Sequence, residues 1–237
     1  MIQKYILLLS FCIYNNTIQA NSNNFAKQLC QQSQYKCLKV KKSNSWSQLF
    51  PNPRENDLVK KINRTNEFLS SGMILAVPRN LHNTTILDVS PFPLILENQH
   101  EKVILISLKL LAWAAFSADG RQVNWGPISA GSIHCPELLS CATPKGTFRI
   151  QRKRGLDCYS KSFPQMISGE KGGAYMPYCM YFYKGYALHG SENLPGYNAS
   201  HGCVRLFNHD AQWLNEYFVE LPNHKQKNSG TKVIISD

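Results

Sequence analysis

No Cys-x-x-Cys pair, no His-Glu-x-x-His run and no alternation of strands and helices of the thioredoxin kind occurs in these 237 residues. Those absences argue against a thiol oxidoreductase and against a zinc hydrolase, and no metal or other cofactor is expected. Beyond the first residues nothing is apolar and long enough to cross a bilayer, and no internal repeat is visible. Acidic residues are scarce: 15 Asp and Glu against 26 Lys and Arg, for a formal charge of +11. A basic chain is drawn to polyanions. Its lysines and arginines, Lys39, Lys41, Lys42, Lys60, Lys61 and Arg152 to Arg154 among them, are scattered and form no nucleic-acid motif, so a nucleic-acid partner is not expected. A hydrophobic content of 43% is ample for a core.

The chain opens MIQKYILLLSFCIYNNTIQA. Lys4 before an apolar run from Tyr5 to Tyr14 has the pattern of a secretory leader, with an apolar stretch too short to anchor in a bilayer. Cleavage is expected after Ala20, although Ile18 is larger than the residue usual two positions earlier. Phe11 before Cys12 is too large for a lipid-attachment site. Export predicts a periplasmic or secreted protein and changes the meaning of its cysteines. Of 8, loss of Cys12 leaves seven, an odd number. In an oxidising compartment one thiol then stays free. Local pairing suggests Cys30–Cys37, Cys135–Cys141 and Cys158–Cys179, with Cys203 left over; connectivity stays open at this level.

Cys203 lies in Ala-Ser-His-Gly-Cys-Val-Arg-Leu, Ala199 to Leu206, with Leu-His-Gly-Ser, Leu188 to Ser191, shortly before it. A thiolate is the strongest side-chain nucleophile, and an imidazole within reach can take its proton near neutral pH. Gly202 permits close backbone approach or a positive φ. The N–H groups of Gly202 and Cys203 are candidate oxyanion donors. His189 ends an apolar stretch, Tyr186 to Leu188, that would hold its ring rigidly, and is the expected base. His201 either flanks the thiolate or orders its loop. Arg205 either clamps a substrate carboxylate or forms a structural ion pair. His82, His100, His134, His209 and His224 belong to no motif and are expected at the surface or in structural roles.

With these residues, and with TPKGTF (Thr143 to Phe148), GGAYMPYCM (Gly172 to Met180), GYALHGS and the DAQWL stretch (Asp210 to Leu214), the chain resembles the L,D-transpeptidase catalytic domain of the YkuD type from about Val103 onward. Two departures are a short gap between His189 and Ser200 and Arg205 in place of a frequent asparagine. The resemblance implies a mixed β-sandwich with the site at one end. Cys203 would be the nucleophile and His189 the base, held in its working tautomer by a backbone carbonyl. Tyr175, Met176 and Tyr178 would line the donor groove, and Ser191 and Ser200 would join Arg205 as substrate contacts. The substrate implied is a peptidoglycan stem peptide, with a thioester formed at a diamino acid and a terminal D-alanine expelled. The acceptor stays open: another stem peptide, an amine on an outer-membrane protein, or water, the last making the protein a carboxypeptidase or hydrolase. The alternative from another class is a wall-binding protein with a vestigial site. With this motif in view the bacterial wall is the expected polyanion.

Three regions are expected: a leader over 1–20, an N-terminal region over 21–80, and a catalytic domain over 81–237. Leu58, Val59, Ile62 and Phe68 fit one face of a helix starting near Glu55, and Met73 to Val77 reads as a strand closed by Pro78. This ending resembles the second half of a LysM peptidoglycan-binding module, without a clear first half, because Asn21 to Ser45 reads as a polar loop. Strands are expected at Thr85–Val89, Val103–Ile106, Leu110–Phe116, Ile128–Ala130, Thr147–Gln151, Met180–Tyr183, Tyr186–His189 and Val233–Ile235. A helix capped by Asn208 should run to about Val219. The fold class is therefore mainly β, a mixed sandwich with a C-terminal helix behind a small α/β region.

Overall fold

The N-terminal unit begins with α1 (Ser22–Leu29) and β1 (Tyr35–Lys39), continues through α2 (Trp46–Leu49) and α3 (Pro53–Ile62), and ends with β2 (Ile74–Pro78). The computed structural model describes residues 22–97, 99–133, 135, 140–161, 166–167, 170–171, 173–223 and 229–237; the leader expected over 1–20, with its cleavage site, and His134 and His224 lie outside them. Helix α3 starts where its chemistry allows. Asn52 accepts from the N–H groups of Arg54 and Glu55, and Pro53, which has no N–H to satisfy, fills the first turn. Strands β1 and β2 pair antiparallel from Tyr35 opposite Pro78 to Lys39 opposite Ile74. Val40, Trp46, Phe50, Val59, Leu75 and Val77 form a small core between this hairpin and the helices. The polar loop expected before Ser45 is corrected to α1 and β1. Strand β1 shows mostly exposed side chains, so it has no apolar alternation to read. Phe68 is not on the helix but 95% exposed in the loop beyond it.

The rest of the chain contains β3 (Val103–Ser107), β4 (Ala112–Phe116), β5 (Gln122–Pro127), β6 (Gly146–Arg149) and β7 (Arg152–Lys153). Short segments β8 (Tyr159–Ser160), β9 (Met166–Ile167), β10 (Glu170–Lys171) and β11 (Ala174–Tyr175) follow. Then come β12 (Met180–Tyr183), β13 (Tyr186–Gly190), β14 (Val204–Leu206), α4 (Asn208–Trp213) and β15 (Lys232–Ser236). Five strands form one sheet in the order β5-β4-β3-β15-β6, and four form another in the order β14-β13-β12-β7. Both sheets are mixed, since β15 runs parallel to β3 and β14 parallel to β13.

Side chains alternate across a strand, so each sheet offers two faces. Ile104, Ile106, Trp113 and Ala115 of the larger sheet meet Met180, Phe182, Leu188, Val204 and Leu206 of the smaller in the main core. Each such side chain contributes roughly 1.5–3 kcal/mol on burial. Val103, Ala112, Ala114, Phe116 and Trp125 face the other way, under Phe92 and the segment around Ile86 to Leu96. Several local expectations are corrected here. Thr85–Val89 is no strand, only a 3-10 turn over Leu87–Val89. Ile128–Ala130 supplies an isolated bridge, Ser129 to Arg205, while the neighbouring strand is Gln122–Pro127. The C-terminal helix is capped at Phe207, with Asn208 inside it, and becomes a π-helical turn over Leu214–Phe218.

A buried ion cluster joins the N-terminal unit to α4. Lys61, 3% exposed, reaches Asp210 at 2.6 Å and Asp57 at 3.6 Å, and His209 lies 3.1 Å from Asp57. Burial alone would push the Lys61 ammonium down; the two carboxylates overcome it and hold its pKa above the usual lysine value. His209 therefore has a structural role, as expected.

Candidate active site

The register of β13 against β14 builds the site. Leu188 pairs with Val204 and His189 with Arg205, so Leu188, Val204 and Leu206 enter the core. His189, Arg205 and the preceding Cys203 consequently fall on the opposite face. On that face Cys203 packs with Met176, Tyr181, Ala187 and the Cys158–Cys179 disulfide. A cavity of about 530 Å³ opens there, lined by Cys203, His189, His201, Ser200, Arg205 and Met176 together with Arg152, Arg154, Tyr181 and Tyr186.

Cys203 is the free cysteine among the described residues. The three bridges are Cys30–Cys37, Cys135–Cys141 and Cys158–Cys179, as local pairing suggested. The Cys203 thiol is turned toward the Gly185 carbonyl at 3.9 Å, and burial pushes its pKa up. His189 is 5% exposed, and its Nδ1 lies 2.8 Å from the Gly190 carbonyl oxygen. A carbonyl can only accept, so the proton sits on Nδ1 and Nε2 carries the lone pair. Burial, with a smaller contribution from Arg205, pulls the His189 pKa down to about 4. Both shifts disfavour the charged forms, a thiolate and an imidazolium.

The loop bearing the thiol is fixed by backbone and hydroxyl contacts. Ser200 exchanges backbone hydrogen bonds with Ala130 and Ser132, and its Oγ donates to the Cys203 carbonyl at 2.5 Å. Gly202 has φ +117°, and a Cβ there would stand 2.6 Å from the Tyr186 ring. Its N–H donates to Ser200 Oγ at 3.0 Å, which removes it from the two expected oxyanion donors in the resting state. Thr143 Oγ1 donates to the Gly202 carbonyl at 2.7 Å and accepts from the Gly131 N–H at 2.8 Å. Thr143 belongs to the TPKGTF stretch, but nothing in its spacing announced this contact.

Three residues expected at the substrate lie elsewhere. Ser191 lines a separate groove against the N-terminal unit, its N–H bound to the Leu206 carbonyl, because β13 ends at Gly190 and the chain turns away. Tyr175 tilts against the Tyr159 ring with centroids 5.0 Å apart, 48% exposed and off the cavity lining, while Tyr178 packs against the main core. Sequence alternation alone could not place these residues, because β11 ends at Tyr175 and the chain turns through Pro177 and Tyr178, the latter at φ 57°. Arg205 donates to Asn193 Oδ1 at 2.7 Å rather than to a carboxylate. No group of three or more His, Cys, Asp or Glu residues with metal-binding geometry occurs among the described residues.

A half-buried thiol and an imidazole whose Nδ1 faces a backbone carbonyl thus lie on one face of a mixed β-sandwich and line one cavity. The sequence profile of the L,D-transpeptidase catalytic domain (YkuD) matches residues 101–235, and the chain belongs to that family. YciB of Bacillus subtilis (strain 168), whose L,D-transpeptidase name is provisional, is 33% identical over 141 residues, 57% of this chain and 67% of that protein. The crystal structure of the L,D-transpeptidase (residues 123–326) from Xylanimonas cellulosilytica DSM 15894 is 28% identical, with a TM-score of 0.50 over 76% of this chain and 78% of that one.

Proposed function

We propose that the protein is an exported L,D-transpeptidase that takes the acyl group of a peptidoglycan stem peptide onto Cys203 as a thioester. The observation that supports this most is that the free thiol and His189, whose Nδ1 is committed to the Gly190 carbonyl, line one cavity. His189 Nε2 removes the thiol proton as sulfur attacks the carbonyl carbon of the donor amide. The resulting oxyanion is met by the Cys203 N–H, and Gly202 joins it if Ser200 Oγ releases its N–H. A preorganised donor of this kind is typically worth roughly 3 kcal/mol. Collapse breaks the carbon–nitrogen bond, and the imidazolium returns its proton to the departing amine of D-alanine. An acceptor amine then attacks the thioester, restoring the thiol; water in its place would give a carboxypeptidase. His201, on the same cavity wall, either flanks the sulfur or orders its loop. No metal or cofactor takes part in these steps.

The three disulfides support export, and a net charge of +10 after loss of Lys4 from +11 supports attraction to the wall. The strand–helix–helix–strand order from β1 to β2 supports reading the N-terminal unit as a LysM-like wall-binding module. Incubation with purified muropeptides, followed by mass spectrometry, tests the reading. Wild type should form an acyl-enzyme and a cross-linked or protein-linked product, and Cys203→Ala should form neither. Release of the shortened stem alone would assign the water reaction. A folded enzyme forming no adduct at Cys203 would leave only the vestigial-site reading.

A further inference from the structure

We propose that Arg152 is a specificity-determining residue that reads a free carboxylate on the acyl donor, so that donors keeping this carboxylate are chosen over their carboxamides. The inference rests on the reading of Cys203 as the acyl-accepting thiol. Four cations, Arg152, Arg154, Lys161 and Arg205, line the catalytic cavity, and no Asp or Glu joins them among the described residues. Two of the four are engaged. Arg154 is bridged to Asp157 at 2.5 Å, and Arg205 is held by Asn193.

Arg152 is not engaged in this way. Its side chain has no hydrogen bond and no ion pair among the described residues, and its guanidinium carbon sits 3.5 Å from the centroid of the Tyr181 ring. That ring is fixed in turn: Tyr181 is 7% exposed, and its hydroxyl lies 3.8 Å from Cys158 Sγ, which belongs to the Cys158–Cys179 bridge. A guanidinium stacked through its face keeps the N–H groups of its edge free, in the planar fork that matches a carboxylate. The stack also restricts the side chain before any ligand arrives, which lowers the entropy cost of binding.

Its distance from the thiol limits which carboxylate it meets. Arg152 pairs with Tyr181 across β7 and β12, and β13 separates β12 from β14. Three strand spacings are roughly 14 Å between backbones, and the guanidinium leans over the intervening Tyr181. An extended peptide rises about 3.3 Å per residue. With the retained acyl chain, rather than the departing amine, lying toward Arg152, the carboxylate read is one on the amino side of the residue being transferred. In a stem peptide that is the carboxylate of the residue preceding the diamino acid.

The test uses two synthetic stem peptides that differ only in carrying a carboxylate or a carboxamide on that residue. Binding to full-length Cys203→Ala protein is read by calorimetry, and acylation of the Cys203 enzyme by intact mass. A charge-assisted hydrogen bond predicts about a 10- to 100-fold preference for the carboxylate peptide. In Arg152→Gln the preference should shrink to within about threefold through weaker binding of the carboxylate peptide alone, and Arg152→Lys should restore part of it. Equal binding of both peptides, a preference that survives Arg152→Gln, or one abolished only by Lys161→Gln would each overturn the assignment. Binding that discriminates through Arg152 without any thioester would refute the proposed chemistry while leaving the carboxylate assignment supported.

Discussion

Lowering the pH separates the two ways a cysteine–histidine pair can work. If thiolate and imidazolium exist before substrate arrives, activity follows the titration of an ordinary histidine. Here burial pulls the His189 pKa down to about 4 and pushes Cys203 up, which under the proposed mechanism makes free imidazole the base and couples proton transfer to attack. At pH 5.5 an imidazole of pKa 4 is still about 97% unprotonated, whereas one at the reference value of about 6.5 would be about 9% unprotonated. Single-turnover acylation by a stem peptide, followed by intact mass, should therefore change less than about twofold between pH 7.5 and 5.5. An ordinary histidine would cost about tenfold over the same range. Alkylation of the resting enzyme by iodoacetamide, which needs thiolate, should keep rising beyond pH 9 with no plateau near neutrality. A tenfold loss of acylation at pH 5.5, or a neutral plateau in alkylation, would refute the resting thiol–imidazole pair. Stability carries the same signature. Below pH 6.5 the unfolded chain protonates this histidine and the native chain does not, so stability falls as pH drops from about 6.5 to 4. The loss from this group approaches about 3 kcal/mol, and His189→Gln should lack that component.

Two further predictions concern the supports of the site. Gly202→Ala forces a side chain into positive φ and against the Tyr186 ring; it should destabilise the fold by about 2 kcal/mol in urea titration and lower acylation at least tenfold. Unchanged acylation would mean that the loop relaxes freely. Lys61→Met leaves Asp210 buried without its cation and should cost about 3–5 kcal/mol at pH 7, a penalty that Asp210→Asn in the same chain partly relieves. A loss under 1 kcal/mol would show that the cluster is already hydrated.

The strands that carry the site were legible because their chemistry is local. Met180 to Tyr183 and Tyr186 to His189 are apolar and aromatic, and Lys184-Gly185 reads as a turn between them. Cys203 and His189 stand out by residue type and neighbours alone, and the fold brings both to the lining of one cavity. What stayed hidden depends on partners distant in the chain. Strand β1 is mostly exposed and is held by its pairing with β2, so no hydrophobic period marks it. Asn208 looks like a helix cap, yet Phe207 takes that place and the Asn208 side-chain oxygen is buried without a partner. Ser191 follows His189 closely in sequence, but the end of β13 carries it out of the cavity. Arg152 reads as one of three scattered cations in sequence, and only the register of β7 on β12 sets it over Tyr181.

The N-terminal unit supports the loop that follows His189. Asn66 spans the loop after His189: its Nδ2 donates to the Ser191 carbonyl at 3.1 Å, and its Oδ1 accepts from the Leu194 N–H at 2.8 Å. Glu67 Oε1 accepts from Asn193 Nδ2 at 2.6 Å, and Asn193 Oδ1 in turn accepts from Arg205 at 2.7 Å. Two side chains from the N-terminal unit thus fix the segment that orients Arg205. Each hydrogen bond contributes about 0.5–1.5 kcal/mol net, so Asn66→Ala should cost about 1–3 kcal/mol, mostly as local loosening of 191–195. His189 is anchored separately, by its strand and by Gly190, so the proton-transfer step should survive. The expected result is a several-fold rise in KM for the stem peptide with kcat within about threefold, and faster amide exchange confined to that loop. A fall in kcat at unchanged KM would show instead that the loop governs His189, and the division between anchoring the base and orienting Arg205 would fail.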